Sequence, residues 1–131
     1  MTPFYHLVCL GLAVIIGLIH IILQGMSATK ENGAAWNAGP RDETKPLGVM
    51  AGRFDRASKN FQETFPLFAA VLLGAYLAAQ LSDLTLMAAI AYVVARAVYI
   101  PLYAFGVPYL RSLAWVVSLI AILVLLFALL L

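Results

Sequence analysis

The sequence predicts an all-α protein, a transmembrane four-helix bundle, and three observations carry that prediction. Of 131 residues, 64% are hydrophobic and only 11% charged, against an apolar share of roughly 45–50% in soluble domains. Four apolar runs, residues 4–24, 61–81, 84–105 and 110–131, reach the roughly 20 residues that a bilayer crossing needs. The cations are also placed asymmetrically. Lys30, Arg41, Lys45, Arg53, Arg56, Lys59, Arg96 and Arg111 leave the amino-terminal segment, the Ser82-Asp83 turn and the carboxy-terminal end bare. The positive-inside rule then puts the first and third loops in the cytoplasm and both termini on the other side. Residues 1–131 form one integral-membrane domain, so the bundle itself must carry the function.

The first helix is expected over about 4–25. It lacks the basic start of a signal peptide and its apolar run is too long for one. His6 and His20 lie on it; no partner Cys, Asp or Glu is expected on their face, so interfacial or backbone-bonded roles are expected rather than a metal site. Cys9 is the single cysteine and is read as a small apolar filler. Gln24 and Lys30 end the helix on the cytoplasmic side, within reach of a neighbouring subunit. A polar loop follows over about 26–48, broken by Gly33, Gly39, Pro40, Pro46 and Gly48. Its Trp36 suits the headgroup level.

The second helix is expected over about 49–81, projecting into the cytoplasm before entering the bilayer. Its Ala70, Gly74 and Ala78 recur every four residues, a spacing that lets another helix approach closely. Ser82 or Asp83 is expected to cap the third helix, over about 83–105. Pro101 removes an amide proton there and should kink it. The fourth helix, over about 110–131, is featureless beyond Val116 and reads as a lipid-facing wall. No repeat, low-complexity tract, phosphate loop or zinc spacing appears, and no nucleic-acid partner is expected.

Two polar constellations stand out against this apolar background. Arg56, Asn60 and Glu63 fall at i, i+4 and i+7, stacking a guanidinium, an amide and a carboxylate on one face. Those groups suit a small zwitterion; they equally suit a solvated, salt-bridged helix end. Arg96, Tyr99 and Tyr103 share a face of the third helix. Arg96 lies inside an apolar run, where a charge costs at least about 2.5–3.5 kcal/mol on insertion scales. It either snorkels toward the cytoplasm or meets a carboxylate, and Glu63 is the acid at similar depth.

RASKNFQETFP, residues 56–66, resembles the second-helix signature of the MAPEG superfamily (membrane-associated proteins in eicosanoid and glutathione metabolism). ARAVYIPLY, residues 95–103, is similar to that family's third-helix pattern, and Arg111-Ser112 matches the start of its fourth helix. The similarity spans all four helices and suggests a bacterial-type member. It implies a homotrimer in membrane lipid, sited in a bacterial inner membrane, with glutathione as cosubstrate between subunits on the cytoplasmic side. Carried over by position, Arg56, Asn60, Glu63, Arg96, Tyr99 and Tyr103 would contact glutathione. Arg111 would stabilise its thiolate, Tyr103 would be the competing donor, and Ser112 could donate to sulfur.

The sequence departs from the family at several points. Lys59 stands where some members have Arg, which replaces a bidentate grip by a point charge. Tyr99 takes the place of a His found in prostaglandin-synthase-like members. The interval from Tyr103 to Arg111 also varies among relatives. The resemblance implies a glutathione-dependent transferase or peroxidase acting on a lipophilic electrophile. The alternative is a non-catalytic lipid- or glutathione-binding scaffold, since the family includes a non-enzymatic member. A transporter would need an acid-lined aqueous path that the sequence does not offer.

Overall fold

The computed structural model describes residues 2–40 and 46–131, and all its regular elements are helices: α1 Phe4–Asn32, α2 Ala34–Ala38, α3 Val49–Leu77, α4 Asp83–Ala104 and α5 Pro108–Leu130. The loop cations Arg41 and Lys45 lie outside the described residues. Three helices, α1, α4 and α5, are long and apolar enough to cross a membrane. The chain is an integral membrane protein. α3 matches α1 in length, but its first half carries the polar motif and lowers its mean hydropathy.

Short turns join α3 to α4 and α4 to α5, which makes each pair antiparallel neighbours. α3 and α4 each pack against all three other long helices, whereas the backbones of α1 and α5 do not approach each other closely among the described residues. The bundle therefore has α3 and α4 on its short diagonal. α1 offers a narrow stripe inward, His6, Cys9, Ala13, Ile16 and His20, spaced three or four residues apart as one helical face requires, so Cys9 does share the histidines' face, contrary to expectation. Cys9 and Ala13 meet Phe68, Val71 and Leu72 of α3, Tyr92 of α4 and Leu125 of α5 in one apolar core. The Phe68 and Tyr92 rings stack with centroids 4.0 Å apart. The Tyr92 hydroxyl meets Thr64 Oγ1 at 2.9 Å, so the phenol is buried without stranding its polar end.

The helix ends show where local chemistry overrides periodicity. Ser82 caps α4 as expected: its side chain accepts from the Thr85 amide at 3.3 Å, while Thr85 Oγ1 accepts from the Ser82 amide at 2.8 Å. Thr85 Oγ1 also meets His6 Nε2 at 2.9 Å, tying α1 to that cap. Pro101 sits inside α4, which continues to Ala104. α1 does not stop near residue 25; it runs on to Asn32, ending at Gly33 with φ 91°, a left-handed conformation that glycine adopts without strain. α2 is a further helical turn within the expected loop. Glu31 at the end of α1 accepts from the amides of Gly48 and Ala51, at 2.6 and 3.2 Å. Its carboxylate satisfies amides that the first turn of α3 leaves open, where an anion is also favoured by the helix dipole.

The small-residue stripe of α3 divides between surroundings. A Cβ on Gly74 would lie 2.9 Å from Leu129 Cδ2 of α5, so Gly74 admits a helix of its own chain. Ala70 and Ala78 are exposed. The expected close approach of a helix is met at Gly74, and the helix is α5 of the same chain.

Candidate functional site

The polar halves of α3, α4 and α5 meet at one end of the bundle, around a cleft of about 290 Å³ lined by Asn60, Tyr99, Tyr103, Arg111, Ser112 and Trp115. Three helices thus contribute, and the α4–α5 turn brings Tyr103 and Arg111 together across eight residues of sequence. Arg53 fastens that turn. Its Nη1 donates to the Ala104 carbonyl at 2.9 Å, one of the acceptors that the end of α4 leaves open. The same guanidinium crowds Gly106, where φ is 70° and a Cβ would meet Nη2 at 3.0 Å. Gly106 is required there for conformation and for space.

Beneath the cleft, Arg96 is fully buried. Its Nη1 donates to Asn60 Oδ1 at 2.8 Å. Its Cζ lies 4.2 Å from the Tyr99 ring centroid and 5.6 Å from that of Phe61, distances at which an aromatic face attracts a cation. Arg96 Nε and Nη2 have no hydrogen-bond partner, so the cluster retains donor capacity. Arg96 and Glu63, expected to meet directly or through a ligand, make no direct hydrogen bond or ion pair. Asn60, one turn before Glu63, takes the guanidinium, while Glu63 is exposed on α3 and does not line the cleft.

Above the buried arginine the aromatic residues continue upward. Tyr99 and Tyr103 have centroids 5.6 Å apart. Arg111 Cζ stands 4.8 Å from the Tyr103 ring, and Arg56 Nε donates to the Tyr103 hydroxyl at 3.0 Å. Arg56 is exposed, at the rim. Of the residues singled out from sequence, Asn60, Tyr99, Tyr103, Arg111 and Ser112 line the cleft, Arg56 and Arg96 bond to its walls, and Glu63 stands apart. Lys59 pairs with Asp55 at 2.9 Å on the α3 surface, a solvated contact of small energetic weight.

Trp115 and Arg53 were not singled out. Trp115 follows Arg111 by four residues, so the helical repeat alone puts it on the same face. Arg53 precedes the motif by three residues, but its partner is a backbone carbonyl, which no side-chain pattern announces.

Chemically, the cleft combines donors for anions, a phenol and an indole at the edge of an apolar bundle. No group of three or more His, Cys, Asp or Glu suited to a metal occurs among the described residues. No curated protein and no solved structure gives a significant match. A family match, however, runs over residues 6–131, from the first turn of α1 through the end of α5. The chain belongs to the MAPEG family.

Proposed function

We propose that this MAPEG-family chain is a glutathione-dependent membrane transferase or peroxidase, acting on lipophilic electrophiles that enter from the bilayer. The observation that carries the reading is the convergence of Tyr103, Arg111 and Ser112 on one cleft. The donor set suits glutathione: Arg56 at the rim and Asn60 in the cleft offer hydrogen bonds to carboxylates, and buried Arg96 holds Asn60 in place. Glutathione supplies the thiol nucleophile.

Arg111 would hold the thiolate, because a guanidinium within about 4–6 Å favours the charged form of an acid. Tyr103, whose oxygen accepts from Arg56, keeps its own proton for donation toward sulfur. Ser112, beside Arg111 near the amino-terminal end of α5, adds a hydroxyl where the helix dipole also favours an anion. Glu63 would serve from the exposed face of α3 by meeting a neighbouring copy. A homotrimer, as the family resemblance implies, would set the exposed Glu63 against another copy. The cation-rich loops support a cytoplasmic location for this end, in an inner membrane with both termini opposite.

Purified protein in detergent, supplied with glutathione and a chloronitrobenzene, tests the proposal. Protein-dependent conjugate formation is expected. Glutathione binding with no turnover of this or any hydroperoxide would instead leave a binding scaffold.

A further inference from the structure

The aromatic residues of the cleft differ in what covers them. Arg96 stands over the Tyr99 ring and Arg111 over the Tyr103 ring, and the two tyrosines also face each other. The ring of Trp115 makes no ring or cation contact among the described residues. It is 38% exposed and lines the cleft beside Arg111 and Ser112.

A tryptophan near a membrane surface commonly anchors at the headgroups, yet its position argues against that role here. Phe105 and Tyr109, 78% and 88% exposed at the α4–α5 turn, already occupy the boundary. Trp115 lies seven residues into α5, roughly 10 Å deeper along the axis at 1.5 Å per residue. The cleft of about 290 Å³ is at the lower limit of ligand pockets, roughly 300 Å³. It has room for one small molecule, and a second must lie along an uncovered wall.

Resting on the proposed glutathione reading, we infer that Trp115 is that wall: a specificity residue on which a flat, electron-poor π-system stacks beside the thiolate held at Arg111. An electron-rich indole face favours such rings in offset contact and gives no comparable advantage to a saturated chain. With a chlorodinitrobenzene, sulfur bonds to the ring carbon bearing chlorine and the electron pair passes into the nitro-stabilised ring. Return of that pair expels chloride, and the thiol's proton leaves to solvent. With an alkyl iodide, sulfur displaces iodide directly and no π-face takes part.

The test compares these two electrophiles with wild type, Trp115→Ala and Trp115→Phe, alongside glutathione binding by calorimetry. The Trp115 carbonyl accepts from Ser118 Oγ through the backbone, so that contact survives both substitutions. Trp115→Ala is expected to lower the ratio of aromatic to alkyl kcat/KM about five- to tenfold, the equivalent of one aromatic contact. The loss should appear in KM for the aromatic electrophile, and Trp115→Phe should recover most of it. Parallel loss of both electrophiles, or an unchanged ratio, with glutathione still bound overturns this inference alone. A wild-type protein that neither binds glutathione nor consumes either electrophile overturns the underlying reading as well.

Discussion

Arg56 Nε donates to the Tyr103 hydroxyl at 3.0 Å, which fixes what that phenol can do. With its oxygen accepting from a guanidinium, its single proton is directed elsewhere. Arg111 stands over the same ring at 4.8 Å. Tyr103→Phe keeps the ring for both arginines and removes only the hydroxyl. It is expected to lower glutathione-dependent turnover about tenfold, below the roughly 10²–10³ that removing one oxyanion-hole donor costs, because the guanidinium of Arg111 would carry most of the anion's charge. Steady-state kinetics at saturating glutathione measure it.

Asn60 and Glu63 should behave differently although they share a motif. Asn60 Oδ1 is the hydrogen-bond acceptor of buried Arg96, and hydrogen bonds to charged groups contribute about 1.5–3 kcal/mol. Asn60→Ala should therefore destabilise the folded protein by about that amount in detergent unfolding. Glu63→Gln changes an exposed side chain and should stay within about 0.5 kcal/mol of wild type. A loss of about 3–5 kcal/mol at Glu63, the size for a broken buried pair, would show that Glu63 is paired after all.

Gly74 is predicted to be a packing residue within the chain. A leucine there would collide with Leu129, whose Cδ2 lies 2.9 Å from the added Cβ position. Overpacking of this kind costs about 1–3 kcal/mol. Adding Leu129→Ala should restore much of the lost stability, giving a non-additive pair. If the double variant is no more stable than Gly74→Leu, the glycine answers to some other neighbour.

Glu31 should govern the start of α3. Its two carboxylate oxygens accept from the Gly48 and Ala51 amides. Glu31→Ala is expected to cost about 0.5–2 kcal/mol locally, as loss of a helix cap does. The signature is faster hydrogen exchange at those two amides with exchange in α4 unchanged.

Much of this was legible in the sequence, for a definable reason. The helical repeat fixes faces, so the motifs on α3 and α4 and the pair Arg111-Ser112 could be assigned to sides of helices before any packing was known. The Ser82 cap was legible because its partner is three residues away. Glu31 was not, because the cap residue Gly48 it bonds lies seventeen residues later. The Arg96–Glu63 pairing was expected from depth and charge alone. Asn60, one turn earlier on the same side of the helix, supplies the acceptor instead. The division of Gly74 from Ala70 and Ala78 was likewise hidden, since a stripe of small residues does not say which helix approaches it.

The central claim is that Arg111 holds a thiolate. A free thiol with a pKa near 8.5 is only a few per cent ionised at neutral pH, and a close guanidinium can lower that pKa by about one to three units. The direct measurement is the ultraviolet difference absorbance of bound glutathione thiolate, in wild type and in Arg111→Ala, at saturating glutathione and neutral pH. The wild type should show a strong thiolate signal. In Arg111→Ala that signal should largely vanish, with glutathione affinity within a few-fold and turnover about 10²-fold lower, the pattern of an interaction made with the activated state. An undiminished thiolate signal in the variant would show that Arg111 does not hold the thiolate.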